Sequence, residues 1–200
     1  MLRQLAGEVV PAIHHLVDEG VADLQRIGLF GHSRGGHAAL GLITQTDLFG
    51  AAVVSAGRLT LTSYGTHPAD FDQCETGIYA CGGTLWEKRE AYIENSPLFY
   101  LDRVRTPLLV IGGTASAEEE LQARQTFGAL RRLGRRVELR LYRDEDHDPA
   151  AWTEASYRDA SERIVAWFDS YLKSQGGPEN GTARIRRPDT DSSRARKNAG

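Results

Sequence analysis

The sequence predicts an α/β fold in which a parallel sheet is flanked by helices. Short apolar runs typical of buried strands alternate with segments of helical periodicity along residues 1–174. Strands that are separated by helices pair in parallel, because each crossover returns the chain to the same end of the sheet. With 200 residues, 40% hydrophobic and 26% charged, and a formal net charge of −3, the chain has the composition of one globular domain.

Each element is predicted from a local pattern. Apolar side chains at helical spacing mark a first helix over residues 3–19, which Gly20 ends, and Pro11 either kinks this helix or marks its true start. The later elements, in order, are a strand at 26–30, a helix at 34–45, strands at 51–55 and 107–111, a helix at 117–133, a strand at 136–142 and a helix at 153–173. The strand at 136–142 alternates apolar and charged residues, which indicates one solvated face.

Residues 58–105 break this alternation. Aromatic residues are scattered through the segment, and its helical signals are short. Long connections of this kind are often functional. We therefore weigh two interpretations, a wall of a substrate pocket and ordinary packing.

The end of the chain, residues 175–200, has a different composition. It is rich in Gly, Pro, Asn, Ser and Arg, and it carries six basic and three acidic residues. Such a segment buries too little apolar surface to fold, so we expect a disordered basic tail. We interpret the tail as a solvated appendage and expect no nucleic-acid partner.

Targeting and metal signals are few. No stretch approaches the ~18 consecutive apolar residues of a membrane span, so we expect no membrane partner. The first residues lack the core of a signal peptide, which favours a cytoplasmic location. Cys74 and Cys81 are expected to be two thiols, although a local disulfide is the alternative. No metal-ligand cluster appears in the sequence, and we expect no cofactor.

A serine stands between two glycines directly after the first predicted strand. Residues Gly31 to Gly35 read Gly-His-Ser-Arg-Gly, which is the G-x-S-x-G pattern of a nucleophile elbow. The pattern places Ser33 on a strained turn, where side chains at Gly31 or Gly35 would collide with the adjoining strand or helix. The alternative is an ordinary glycine-rich turn, but a buried strand before it and an apolar helix after it favour a nucleophile.

A serine nucleophile needs a base, and His147 is the best placed histidine. It follows the last predicted strand, and loops at the carboxyl ends of parallel strands line the sites of open α/β sheets. A solvated surface histidine is the alternative. His32 adjoins Ser33 and is expected to face away from it. His37 and His67 have no comparable support.

The acid that would orient the base is harder to place. The loop after residues 107–111 contains no aspartate, and three glutamates follow it. Ser116 and Glu119 have the spacing of a helix capping box, which accounts for both. Glu118 is then the nearest carboxylate that could turn toward His147. The loop after residues 51–55 offers Ala56-Gly57-Arg58, which contains no carboxylate.

Several separate segments together point to a family. They are the run from Arg26 to Gly36, the segment Gly82–Glu87 with Tyr92–Leu98, the run Thr106–Ile111, the segment Arg132–Gly134 with Val137–Leu139, and the stretch Tyr142–His147. In this order they resemble the catalytic domain of the prolyl oligopeptidase family, in particular its acylaminoacyl-peptidase-like members, over roughly residues 5–173. The resemblance implies a serine peptidase with Ser33 as nucleophile, His147 as base and the Arg34 backbone N–H as an oxyanion donor.

The sequence also departs from the family. The family's acid position falls on Ser116, and its usual His-Gly reads Gly112-Gly113. Family members carry a β-propeller and the first strands of the hydrolase sheet upstream. We therefore expect a partial α/β-hydrolase fold lacking the N-terminal strands and part of the oxyanion hole. Its strand at 26–30 would then have an unpaired edge, open to another chain.

These observations leave three functions to compare. The leading expectation is a serine-type peptidase that hydrolyses oligopeptides through an acyl-serine intermediate. A small-ester hydrolase is the near alternative, so the expected partner is a peptide or a small acyl substrate. The third possibility is a truncated, non-catalytic remnant that serves as an interaction module.

Overall fold

The computed structural model describes residues 2–67, 70–79 and 81–173, so the predicted tail at 175–200 lies outside the described residues. In chain order the elements are α1 Leu2–Asp18, β1 Gly28–His32, α2 Arg34–Ile43, β2 Ala51–Ser55, α3 Phe71–Glu75, α4 Arg89–Glu94, β3 Leu108–Gly113, α5 Ala117–Arg132, β4 Val137–Tyr142 and α6 Glu154–Leu172. Every helix and strand predicted from the sequence is present, with ends that differ by a few residues. Among these helices, none combines the length and the apolar character that crossing a bilayer requires.

The four strands form one parallel sheet in the order β1-β2-β3-β4. One row of paired residues runs across it through Gly31, Val54, Val110 and Leu139. Parallel pairing brings the carboxyl ends of all strands to the same edge of the sheet. The loops that follow β1, β3 and β4 therefore meet there, and β1 and β4 lie at opposite sides of the sheet.

The central strands are buried because helices cover both faces of the sheet. Ala52 and Val54 of β2 face a core that includes side chains of α1, α2 and α5. Their neighbours Ala51 and Val53 face a second core, to which α6 contributes. Successive side chains of a strand point to opposite faces, so a strand covered on both sides is apolar at every position.

Glycines close α1, as predicted, and also α5. Gly20 has a φ of 72°, and beyond it the Val21 N–H donates to the carbonyl of Leu16 at 2.9 Å. Gly134 has a φ of 69° just after α5. Glycine adopts this left-handed backbone without steric cost and so closes a helix. Pro11 lies inside α1 and does not mark its start.

The irregular segment between β2 and β3 packs around a small core of its own. Its buried side chains are Leu61, Tyr64, Cys74, Tyr79, Cys81 and Tyr92. Both cysteines are free and buried, and burial raises the pKa of Cys74 to about 12 and that of Cys81 to about 11. The interpretation as ordinary packing is thus confirmed for these residues, and a role in a substrate pocket stays a prediction.

Candidate active site

Ser33 occupies the turn between β1 and α2 in a strained backbone conformation. Its φ is 56° and its ψ is −119°, a region that residues other than glycine seldom adopt and that costs roughly 1–3 kcal/mol. The turn is fixed on both sides. The Ser33 N–H donates to the carbonyl of Ser55 at 2.9 Å, and the Ser33 carbonyl accepts from the His37 N–H at 3.0 Å.

The glycines of the turn have different roles from those predicted. A Cβ on Gly31 would lie 2.1 Å from the carbonyl oxygen of Gly35, so this position admits no side chain. A Cβ on Gly36 would lie 2.7 Å from the Cα of Gly57, because α2 crosses close to the loop after β2. Gly35 is exposed, and a Cβ there would meet nothing within 4 Å among the described residues. The predicted collision is therefore found at Gly31 and not at Gly35.

His147 follows β4 and Ser33 follows β1, so the two residues come from opposite edge strands of the sheet. Its Nε2 lies 2.9 Å from the Ser33 Oγ. Three strand spacings, about 14 Å, separate β1 from β4, so the loop after β4 must extend back across the ends of β3 and β2. The structure thus brings together the two residues that the sequence proposed as nucleophile and base.

Buried polar contacts hold the loop that carries His147. The Glu145 carboxylate is 6% exposed and accepts hydrogen bonds from the backbone N–H and the hydroxyl of Thr153, the latter at 2.6 Å. Hydrogen bonds from the Ser156 and Thr153 side chains lower the pKa of Glu145. The Trp152 Nε1–H donates to the carbonyl of Asp146 at 2.6 Å. These contacts fix the backbone on both sides of Asp146.

The same loop is joined to the loop after β3. The Ala115 N–H donates to the carbonyl of Glu145 at 3.1 Å, and the Asp144 N–H donates to the Thr114 Oγ at 2.9 Å. A Cβ on Gly113 would lie 2.0 Å from the carbonyl oxygen of Glu145. A glycine is therefore required at the end of β3, where the two loops cross.

The carboxylate beside His147 belongs to Glu119 and not to Glu118. The Glu119 Oε1 lies 2.8 Å from the His147 Nδ1, and the Glu119 side chain is 9% exposed. Glu118 points elsewhere: its Oε1 accepts a hydrogen bond from the Gln122 Nε2 at 3.1 Å. The expectation that Glu118 turns toward His147 therefore differs from the geometry of the structure.

The capping box explains why the sequence argument favoured Glu118 over Glu119. Ser116 does cap α5, and its Oγ accepts from the Glu119 N–H at 3.4 Å. This is the half of the box that the serine supplies. In a full box the glutamate would turn back to the N-cap backbone, whereas the Glu119 carboxylate contacts His147. A glutamate is long enough to reach the imidazole from the first turn of the helix.

His32 also lies at the site, which the sequence argument did not anticipate. Its ring centroid is 5.0 Å from that of His147, and its Nδ1 is 3.1 Å from the Ser55 Oγ. Burial and then the neighbouring His147 lower the pKa of His32. The uncharged form of the His32 ring is therefore favoured where it packs against His147.

The first turn of α2 faces the reacting serine. Arg34 is the first residue of α2, so its N–H has no acceptor within the helix. Helix N-termini favour negative charge because their free N–H groups and the helix dipole point the same way. The backbone N–H of Arg34 is therefore free to donate to an anion next to Ser33, and the oxyanion role that the family resemblance implies for it stays a prediction.

Known proteins share this arrangement of elements. A solved acylaminoacyl peptidase of Pyrococcus horikoshii superposes with a TM-score of 0.71 at 27% identity, over 84% of this chain and 27% of that one. A puromycin-hydrolyzing peptidase of Mycobacterium tuberculosis superposes with a TM-score of 0.74 at 27% identity, over 84% of this chain and 25% of that one. These matches confirm the predicted α/β-hydrolase fold, a parallel sheet flanked by helices.

Sequence comparison leads to the same family. The acylamino-acid-releasing enzyme of Arabidopsis thaliana is 27% identical over 169 residues, which are 81% of this chain and 22% of that protein. The chain spans between 15% and 26% of the length of the curated relatives it matches. The model of the prolyl oligopeptidase family matches residues 4–175. The chain therefore belongs to the prolyl oligopeptidase family.

Proposed function

We propose that this chain supplies the catalytic residues of a serine peptidase that hydrolyses peptide bonds of oligopeptides. The observation that carries the proposal is the unbroken series of contacts from the Ser33 Oγ through His147 to Glu119, at 2.9 and 2.8 Å. A hydroxyl, an imidazole and a carboxylate in this order are the components of a catalytic triad.

The three side chains and the Arg34 backbone act in sequence during the reaction. His147 Nε2 takes the Ser33 proton as the Oγ attacks the peptide carbonyl, and Glu119 stabilises the imidazolium that forms. The Arg34 N–H donates to the oxyanion of the tetrahedral intermediate. His147 then gives the proton to the leaving amine, the C–N bond breaks and an acyl-Ser33 ester remains. Water, deprotonated by His147, attacks the ester carbonyl. The bond between the acyl carbon and the Ser33 Oγ then breaks, His147 returns the proton to this oxygen, and the acid product leaves.

Peptide substrates are favoured over small esters by the relatives. Solved neighbours at 27% identity are named as an acylaminoacyl peptidase and a puromycin-hydrolyzing peptidase. Both names are those of peptidases, and peptide cleavage is a reaction that an acyl-serine intermediate supports. The assembled triad argues against a non-catalytic remnant. A cytoplasmic location remains part of the proposal and is tested by cell fractionation.

Labelling with a fluorophosphonate probe tests the proposal. We expect adduct formation at Ser33 in the full chain and its loss in His147→Ala. Glu119→Gln should slow labelling strongly, because loss of the orienting acid costs serine proteases on the order of 10⁴ in kcat. Glu120→Gln is the matched control, since it removes a carboxylate of the same helical turn that pairs with Arg124 and does not touch His147, and it should label within about twofold of the wild type.

Three results would contradict the proposal. The first is a folded wild-type chain that takes up no probe at any pH, and the second is an adduct on a residue other than Ser33. The third is equal slowing by Glu119→Gln and Glu120→Gln, which would remove Glu119 from the triad. Cleavage of a short ester with no cleavage of the matching peptidyl anilide would favour the ester hydrolase.

We also propose that β1 pairs with a strand of another polypeptide chain. In the described part of the chain β1 pairs with β2 alone, and Phe30 on it is 52% exposed. Apolar edge strands of this kind recruit further strands. Phe30→Lys should therefore reduce self-association in sedimentation velocity, and Val165→Lys on α6, which is 59% exposed, is the control. A monodisperse wild-type monomer would overturn this proposal.

A further inference from the structure

Arg58 lies in the loop after β2, and its side chain is close to the Glu119 carboxylate. Its Nη2 is 3.8 Å from the Glu119 Oε1, and its Nη1 is 3.9 Å from the Glu118 Oε1. The side chain is only 16% exposed. A cation therefore stands beside the Glu119 carboxylate, where screening by water is weak.

Glu119 needs such a restraint more than an aspartate in a loop would. It extends from the first turn of α5, and a glutamate has one rotatable bond more than an aspartate. The oxygen that Arg58 faces is the same Oε1 that contacts the His147 Nδ1. At 3.8 Å the contact with Arg58 is an ion pair and not a hydrogen bond. It attracts the carboxylate into one position without competing for the lone pair that His147 uses.

Arg58 is itself held from two sides. Its guanidinium lies 4.0 Å above the centre of the Tyr64 ring, and Tyr64 is buried. Its backbone carbonyl is 2.9 Å from the Nδ1 of His37, another buried side chain. Burial lowers the pKa of His37 to about 4, so at neutral pH His37 donates to this carbonyl without carrying a charge.

The guanidinium has few other means of compensating for its burial. Its Nη1 is buried and has no hydrogen-bond partner within the described ranges. A buried charge without a partner is strongly destabilising, so the two glutamates are the groups that keep Arg58 in place. The restraint is mutual: the carboxylates hold the cation, and the cation fixes the carboxylate that orients the base.

We infer that Arg58 is a positioning residue for the reaction, which fixes the Glu119 carboxylate against His147. The inference rests on the proposed function and adds to it a second residue outside the triad. Arg58 acts through Glu119 and does not touch the reacting atoms. The loop after β2, which offered no carboxylate for the triad, thus supplies the counter-charge.

The test compares Arg58→Met and Arg58→Lys with a matched control, Arg124→Met. Arg124 pairs with Glu120 on the same helix at 2.7 Å, away from the triad. We expect Arg58→Met to slow fluorophosphonate labelling of Ser33 by about 10- to 100-fold, the range that a misplaced catalytic group costs. Arg58→Lys should fall between Arg58→Met and the wild type, because it keeps the charge and loses the planar fork. The control should label at the wild-type rate.

A proton resonance separates positioning from a merely structural role. The proton between His147 Nδ1 and Glu119 should give a far-downfield ¹H signal in the wild type, and Glu119→Gln should remove it. Arg58→Met should broaden or lose the signal, whereas Arg124→Met should keep it. In a Glu119→Gln background, Arg58→Met should slow labelling no further, since its effect passes through Glu119.

Each outcome decides between the two claims. A wild-type chain that shows the resonance and takes up no probe overturns the proposed function. The positioning of Glu119 by Arg58 is then tested by comparing the resonance in the wild type and in Arg58→Met. Wild-type labelling and an intact resonance in Arg58→Met overturn the inference. An equal effect of Arg58→Met with and without Glu119 overturns it as well. Where Arg58→Met lacks a cooperative melt, Arg58→Lys takes its place in the same cycle.

Discussion

Protonation of His37 should destabilise the fold as the pH falls below the ordinary histidine range. His37 lies on α2, one turn after Ser33, and is fully buried. Burial lowers its pKa from 6.5 to about 4. The unfolded chain therefore binds a proton at this residue near pH 6.5, whereas the folded chain does so only near pH 4. Between these values the unfolded state binds more protons, so the free energy of unfolding decreases as the pH falls.

The size of the effect follows from the width of this window. A proton that binds near pH 6.5 in one state and near pH 4 in the other shifts the free energy of unfolding by about 3 kcal/mol across the window. Domains of this size are stabilised by roughly 5–15 kcal/mol in total. A single buried imidazole thus accounts for a substantial part of the sensitivity to acid, and it lies next to the carbonyl of Arg58.

Urea unfolding of wild type and His37→Gln from pH 7.5 to pH 4.5 measures this contribution. Glutamine can still donate to the Arg58 carbonyl and does not titrate. The difference in free energy of unfolding between wild type and His37→Gln should therefore move by about 2 kcal/mol against the wild type as the pH falls. His15→Gln, which removes an exposed imidazole on α1, is the control. A difference for His37→Gln that stays constant across this range would refute the reasoning.

Two further predictions concern the elbow and the base loop. Gly31→Ala should lower the free energy of unfolding by roughly 1–3 kcal/mol or more, because its Cβ would overlap the Gly35 carbonyl. Gly35→Ala should change it by less than about 0.5 kcal/mol, since that side chain would enter open space; equal effects in urea melts would contradict the comparison. Glu145→Gln should lower the Tm more at pH 7 than at pH 3. The hydrogen bonds from Thr153 favour the ionised carboxylate and hold its pKa down, so this stabilisation is lost as the pH falls through that lowered pKa. Thermal melts at both pH values measure this, and an equal loss at each would contradict it.

The parts of the structure that were predictable depend on local patterns. The apolar runs at residues 51–55 and 107–111 read as strands buried on both faces, and they are the two central strands. Ser33 and His147 could be proposed because each follows directly on a strand, and parallel strands bring such positions to one edge. The proposal of Ser33 and His147 therefore depended on the order and pairing of the strands and not on any side-chain contact.

The acid could not be assigned in the same way, because two interactions compete for one residue. Glu118 and Glu119 are adjacent, so on α5 their side chains point about 100° apart. Only the position of the helix relative to His147 decides between them. The local explanation for Glu119, a capping box with Ser116, was correct for the backbone and wrong for the carboxylate. Arg58 could not be proposed from the sequence, because a triad calls for a carboxylate in the loop after β2 and this loop contributes a cation instead.

Because the His147 loop extends across the sheet from β4, the proposed activity depends on an edge strand. In the described residues β4 pairs with β3 alone, and the base is carried on the loop that follows it. Local opening requires less free energy than global unfolding, and edges open first. Detachment of β4 would carry His147 away while β1 to β3 and the elbow keep their structure. The lifetime of the proposed activity under heat would then follow the release of one edge strand, well before the loss of the sheet.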